Sequence, residues 1–125
     1  FRLIEKNFRP TIKFYVKKNI INYPERDFLD IADLNSLIFK IIRKLKKRKI
    51  KSIFNVGSGK NYSILDLYYK FNKKIKIKKP IYKILSKKEL EKTRANNSKT
   101  MSYFNWKPII SLERSIKTTI KLAKI

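Results

Sequence analysis

The sequence predicts an α/β fold. β-rich runs alternate with helical patterns along the chain, one stretch has a strongly amphipathic helical period, and a glycine turn hands an apolar run to a capped helix. Arg2 to Asn7 reads as the tail of a helix begun upstream. Thr11 to Tyr15 and Ile20 to Tyr23 are short β-rich runs, closed by Pro24, and Arg26 to Ile31 is a further strand candidate. Leu34, Leu37, Ile38, Ile41, Ile42 and Leu45 then fall on one face of a helix. Asp30 or Asp33 opens that helix, and Lys44, Lys46, Lys47 and Arg48 close it, each charge suiting its end of the dipole.

Ile53 to Val56 reads as a buried strand stopped by Gly57. Ser63 and Asp66 form an S-x-x-D helix start, continued by Ile64, Leu65, Tyr68 and Phe71. Ile75 to Leu85 contains Pro80, so it is an edge strand or extended segment. Ser86 to Lys92 reads as a short helical turn and Ser98 to Phe104 as a helix. Ser111 caps a last helix with Leu112, Ile116, Ile120 and Ala123 on its apolar face.

The 125 residues suffice for one domain with a core, and 13% aromatic content argues against disorder. Cysteine and histidine are both absent, which removes disulfides and Cys or His nucleophiles from this chain. That composition is compatible with a reducing, cytoplasmic setting. No apolar run approaches the roughly 18 residues of a membrane span. Residue 1 is Phe, which points to further chain upstream.

The net charge of +24 invites a polyanionic partner, nucleic acid or an anionic membrane. Composition bias is the competing explanation. Phe, Tyr, Ile, Asn and Lys, with AT-rich codons, supply 71 residues, against 16 from Gly, Ala, Arg and Pro. Lysine also outnumbers arginine 26 to 7, whereas base and phosphate readers favour the arginine fork.

Phe54-Asn55-Val56-Gly57-Ser58-Gly59-Lys60 has the outline of a phosphate loop. A Walker loop needs glycine where Phe54 stands and a hydroxyl where Asn61 stands; a dinucleotide fingerprint needs glycine where Tyr62 stands. The stretch is therefore read as a glycine turn leading into the helix capped by Ser63.

Three landmarks occur in order: Arg26-Asp27-Phe28-Leu29-Asp30-Ile31-Ala32-Asp33-Leu34; then Phe54 to Gly59 with Ser63-Ile64-Leu65-Asp66-Leu67; then Asn97-Ser98-Lys99, Phe104-Asn105-Trp106-Lys107-Pro108 and Ser111-Leu112-Glu113. The series resembles the C-terminal part of the extended short-chain dehydrogenase/reductases, the NAD-dependent sugar-nucleotide epimerases and dehydratases. The resemblance implies a Rossmann-type α/β protein in which residues 1–125 form the substrate-binding region. Some of their strands would complete the Rossmann sheet, and the N-terminal NAD-binding half is absent from this stretch.

The resemblance also assigns roles. Arg26 would clamp the diphosphate of the nucleotide-sugar, and Arg94 would be a second phosphate-binding arginine. Phe14 and Tyr15 fall near the segment that meets the nucleotide base. Asp33 would order the loop beside Arg26, and Gly57, Gly59, Ser63 and Trp106 would be structural. Surface ion pairing for Arg26, a solvated loop position for Arg94, and packing for Phe14 and Tyr15 are the competing roles. Asp30, Asn96 and Asn105 depart from the family pattern, and the stretch from Tyr15 to Arg26 is longer than usual.

NAD or NADP and the catalytic Tyr-x-x-x-Lys pair would belong to the upstream half of a parent enzyme, a homodimer by family habit. This region alone would bind no cofactor and turn over nothing. Tyr69 with Lys73 and Tyr103 with Lys107 match the Tyr-x-x-x-Lys spacing, but neither occupies the catalytic place in the family order. The alternative function is that of a small basic nucleic-acid-binding protein, resting on the run from Lys44 to Lys51. No helix pairs a basic face with bulky aromatics as a membrane anchor does.

Overall fold

The computed structural model describes residues 9–47, 49–87 and 89–123, so the expected helix tail at 2–7 lies outside the described residues. The chain is α/β. Its elements in order are β1 (Thr11–Lys17), β2 (Ile20–Asn22), β3 (Glu25–Asp27), α1 (Ile31–Leu45), β4 (Asn61–Ser63), α2 (Ile64–Asn72), β5 (Ile81–Ile84), α3 (Ser98–Phe104) and α4 (Leu112–Leu122).

β1 is the centre of a three-stranded sheet ordered β2-β1-β5. It pairs antiparallel with β2 through a hairpin whose turn residues Lys18 and Asn19 both have positive φ, 52° and 58°. β5 runs parallel to β1, with Ile12 opposite Tyr82 and Phe14 opposite Ile84. The second sheet pairs β3 with β4, placing Arg26 opposite Tyr62. A parallel bridge between Glu25 and Lys92 flanks β3 on its other side.

Each long helix starts on a side-chain cap. Asp30 accepts from the Ala32 amide, Ser63 from the Asp66 amide and Ser111 from the Arg114 amide. α2 sets Ile64, Leu67, Tyr68 and Phe71 toward Pro10, Thr11 and Ile12 of the first sheet. α4 buries Leu112 and Ile116 and joins α2 through the Lys70–Glu113 ion pair. That pair raises the Lys70 ammonium above its ordinary range and lowers the Glu113 carboxyl.

The core centres on Leu37 of α1, Phe104 of α3 and Trp106, with Leu29, Ile41, Ile50, Phe54, Met101 and Tyr103 packed around them. α3 ends at Asn105 in the left-handed region, φ 45°. Asparagine tolerates that conformation better than most residues, so it can stand where glycine would serve. Asn105→Gly is therefore expected to leave the fold intact and raise stability by up to about 1 kcal/mol, read as a shift of the urea midpoint.

Four expectations differ from the structure. Arg26 to Ile31 is not one strand: β3 ends at Asp27 and α1 begins at Ile31, because Asp30 caps that helix. Ile53 to Val56 joins no sheet, and Ile53 is 88% exposed, because no strand among the described residues lies alongside it. In the expected turn at 86–92, of which Lys88 lies outside the described residues, the Glu89 amide donates to the Ser86 carbonyl at 3.0 Å, and Glu91 and Lys92 then pair with β3 and do not continue a helix. α1 buries only part of its apolar face: Leu37 is covered, while Ile38, Phe39, Ile42 and Leu45 remain exposed.

Candidate functional site

The site is built on a frame in which residues far apart in sequence lock onto one another. Asp27, the last residue of β3, is the first lock. Its Oδ1 accepts from the Ser58 amide at 2.7 Å and the Ser58 hydroxyl at 2.6 Å. Its Oδ2 accepts from the amides of Gly59 at 3.0 Å and Ala95 at 3.1 Å. Burial works against the charged form of Asp27, but these donors outweigh it and hold the carboxyl below its ordinary range. The glycine loop is thus a nest of amides whose anion is the protein's own Asp27, so the donors that a phosphate loop would offer to a nucleotide are already taken. Gly57 is required by close approach: a Cβ there would sit 2.6 Å from both the Ala95 Cβ and Asp27 Oδ2. Gly59 has φ +72°, the left-handed region glycine enters without strain.

The second lock is the Asn-Ser-Lys-Thr stretch at the start of α3. Asn97 donates to the Gly57 carbonyl at 2.8 Å, Thr100 to the Asn55 carbonyl at 2.5 Å and Lys99 to the Ile53 carbonyl at 3.0 Å. These three side chains therefore hold alternate carbonyls of residues 53–57.

The third lock is Asp33, 3% exposed in the first turn of α1. Its carboxylate accepts from the amides of Ile109 at 3.1 Å and Ile110 at 2.9 Å. Trp106 lies beside it, its indole N–H shared between the Ser36 hydroxyl at 2.8 Å and the Asp33 carbonyl at 3.2 Å. Asp33 thus orders the loop at Ile109 and Ile110. Its carboxylate faces inward to the chain that follows Pro108, because those two amides have no helix or sheet partner.

Above this frame sits Arg26, one residue before Asp27. Its Nη1 donates to the carbonyls of Glu25 at 2.8 Å and Glu91 at 3.3 Å. The neighbouring acids are engaged elsewhere, Glu25 with Lys92 at 2.7 Å and Asp27 with the glycine loop. Tyr15 projects from β1 on the same face as Lys13 and Lys17, which pair with Glu89 and Glu91. β1, β3 and residues 89–93 therefore bring Arg26 and Tyr15 to one mixed-charge surface. The Lys13 ammonium and the Ser86 amide lower the Glu89 carboxyl, and Glu25 raises the Lys92 ammonium.

Phe14 does not join them. Being next to Tyr15 on the strand, it points to the opposite face, where it packs with Ile21, Tyr23 and Tyr82. Arg94 is exposed in the loop between Thr93 and Ala95, both of which bond to β3 residues. Tyr69 is half exposed on α2, and Lys107 lies in the turn after Trp106, off any helix. Glu89 and Glu91 read in the sequence as carboxylates balanced by neighbouring lysines, and their partners Lys13 and Lys17 come instead from β1. The signal open to sequence reasoning was alternation in Lys13-Phe14-Tyr15-Val16-Lys17, which places both lysines on the face of Tyr15. Among the described residues, no three His, Cys, Asp or Glu side chains gather to hold a metal ion.

Comparison with known proteins identifies the frame. A bovine UDP-glucose 4-epimerase is 30% identical over 91 residues, 71% of this chain and 26% of that protein. Over those residues the chain is similar in sequence to one of the NAD-dependent sugar-nucleotide epimerases and dehydratases. Among solved structures, the UDP-glucose 4-epimerase of Stenotrophomonas maltophila, with bound NAD and formylated UDP-arabinopyranose, aligns with TM-score 0.75 at 18% identity. It covers 93% of this chain and 35% of that one. The Thermotoga maritima UDP-glucose 4-epimerase with UDP-glucose aligns with TM-score 0.71 at 19% identity, covering 90% and 35%. The chain thus spans about a quarter of the curated relative and about a third of these structures. No family model matches it. Among the described residues, no helix is long and apolar enough to cross a membrane.

Proposed function

We propose that residues 1–125 are the C-terminal, substrate-binding part of an NAD(P)-dependent nucleotide-sugar epimerase or dehydratase. In this reading Arg26 holds the diphosphate of the substrate. The observation that carries it is the joining of the three family landmarks into one frame: Asp27 binds Ser58, Gly59 and Ala95, and Asp33 binds Ile109 and Ile110. That frame fixes the backbone of β3 directly beneath Arg26. A guanidinium supplies paired donors to phosphate oxygens and keeps its charge at any working pH. Tyr15 contributes a ring on the same surface, Arg94 is a second cation at its margin, and Phe14 acts through packing.

NAD or NADP belongs to the other half of the parent enzyme in this reading, and so do the tyrosine and lysine that move the substrate proton. Residues 53–56 and the bare face of α1 support it. Ile53, Ile38, Phe39, Ile42 and Leu45 present apolar surface of the kind that a larger sheet covers. The parent is a homodimer in this reading and works in the cytoplasm, and this region alone is inactive.

The reading frame upstream of Phe1 tests the proposal. A glycine fingerprint after an early strand is expected there, with Tyr-x-x-x-Lys about 140 residues later. An unrelated upstream domain would refute the cofactor half of the reading. At the end of α1, Lys40 and Lys44 spend their ammonium groups on the carbonyls of Asn105 and Tyr103, closing the end of α3.

A further inference from the structure

Residues Glu89–Thr93 lie across two strands and are tied to both. Their backbone is stitched to β3: the Glu25 amide donates to the Glu91 carbonyl at 2.9 Å, and the Thr93 amide donates to the Glu25 carbonyl at 3.1 Å. Their charged side chains are all paired: Glu89 with Lys13 and Glu91 with Lys17, both on β1, and Lys92 with Glu25 on β3. The Glu91 carbonyl also takes a donor of Arg26. Lys13, Lys17, Lys92 and Arg26 are thus each engaged by this segment or by Glu25.

We propose that Glu89–Thr93 is a strap latched by ion pairs over an anion subsite. A nucleotide-linked diphosphate opens it by drawing Arg26 and Lys17 away from Glu91, the strap residue both engage. The inference rests on the reading of this surface as a nucleotide-sugar site and adds a conformational step to it.

The strength of the latch suits that step. The pairs join exposed side chains, at 66% and 47% for Lys17 and Glu91 and 61% and 30% for Lys92 and Glu25. Such pairs hold weakly and are screened by salt. A multivalent anion can therefore compete for their cations, as it could not against buried pairs. A ligand shifts an equilibrium only by preferring one state. Here the preference comes from Glu91, which neutralises Lys17 while the strap is closed. A phosphate also offers Arg26 charged acceptors, in place of two neutral carbonyls. Lifting the strap uncovers the β1 face on which Tyr15 stands, so charge capture and access to the ring are one event.

Hydrogen exchange of the Glu25 and Thr93 amides reads the strap directly. It is measured on the full-length protein beside calorimetry with UDP and with inorganic diphosphate. Glu89→Gln combined with Glu91→Gln is expected to quicken exchange at both amides roughly fivefold, as is half-molar salt in the wild type. UDP is expected to quicken it too, and to bind the double variant roughly threefold more tightly. Inorganic diphosphate should act only at higher concentration. Unchanged exchange in the double variant would show that the backbone bridge alone holds the segment and would overturn the latch. Slower exchange with UDP would overturn opening, and equal potency of the two ligands would overturn the nucleotide link. Faster exchange in the variant with no UDP binding in either protein would sink the nucleotide-sugar reading, and the anion step with it, while leaving the latch standing.

Discussion

Trp106→Ala is expected to cost about 3–5 kcal/mol of folding stability. Trp106 is 5% exposed and packs with Leu37 and Phe104 at the meeting of α1 and α3. Truncation leaves a cavity lined by both helices, which their short caps and tight junction at Asn105 cannot close. It also strips a donor from the Ser36 hydroxyl and the Asp33 carbonyl. Trp106→Phe separates the two parts. It keeps much of the ring volume and loses only the indole N–H, so it should cost about 1–2 kcal/mol. This is the sole tryptophan, so urea unfolding must be followed by circular dichroism, not by its fluorescence. Equal losses in the two variants would mean that the hydrogen bonds, and not the packing, hold the junction.

The second large effect is expected at Asp27. Asp27→Ala leaves the amides of Ser58, Gly59 and Ala95 without their acceptor and should cost roughly 2–4 kcal/mol. Asp27→Asn is the sharper test. An amide oxygen can replace one carboxylate oxygen, but the amide nitrogen is a donor and would face Gly59 and Ala95, or Ser58, which are donors as well. Asparagine should therefore be nearly as harmful as alanine despite its matching shape.

The pH dependence has a definite sign. The carboxyl of Asp27 is lowered in the folded state from its ordinary 3.8, so its contribution is fully present above that value and is lost as pH falls through the folded pKa. The Asp27 variants should lose less stability than the wild type on going from pH 5 to pH 2. A wild-type acid limb that survives both substitutions would assign acid sensitivity to other carboxylates, such as Glu89 and Glu113.

The helices were legible because period and caps agreed. Leu34 to Leu45 repeat on one face, and Ser63, Ser111 and Asp30 each accept the amide their position calls for. The strands were less legible for a physical reason. β4 is three residues long and exists only because Glu25–Asp27 lies opposite, a partner more than thirty positions away. Ile53 to Val56 has the composition of a buried strand, yet its carbonyls are met by Asn97, Lys99 and Thr100, not by another strand.

The glycine turn could be separated from a Walker loop by Phe54, Asn61 and Tyr62, but nothing local named Asp27 as its anion. That carboxylate looked like a strand exit, and its donors lie 31, 32 and 68 positions away. The partners of Asp33 were hidden for a similar reason, since the amide of Ile109 lies 76 positions along. Arg26 and Tyr15 could be named as candidates from the family pattern. Their shared surface, and the strap that spans it, depend on pairings between β1, β3 and residues 89–93 that no short window contains.

The most direct test of the central claim is calorimetric binding of UDP-glucose to the full-length protein, wild type against Arg26→Ala, with circular dichroism to confirm the fold. The account predicts a loss of affinity of about tenfold or more, the scale of a hydrogen bond to a charged group. Arg26→Lys should recover only part of it, because an ammonium cannot reproduce the guanidinium fork, and NAD binding should be unchanged. Equal UDP-glucose affinity in a folded Arg26→Ala protein would contradict the account, because it would remove Arg26 from the substrate site.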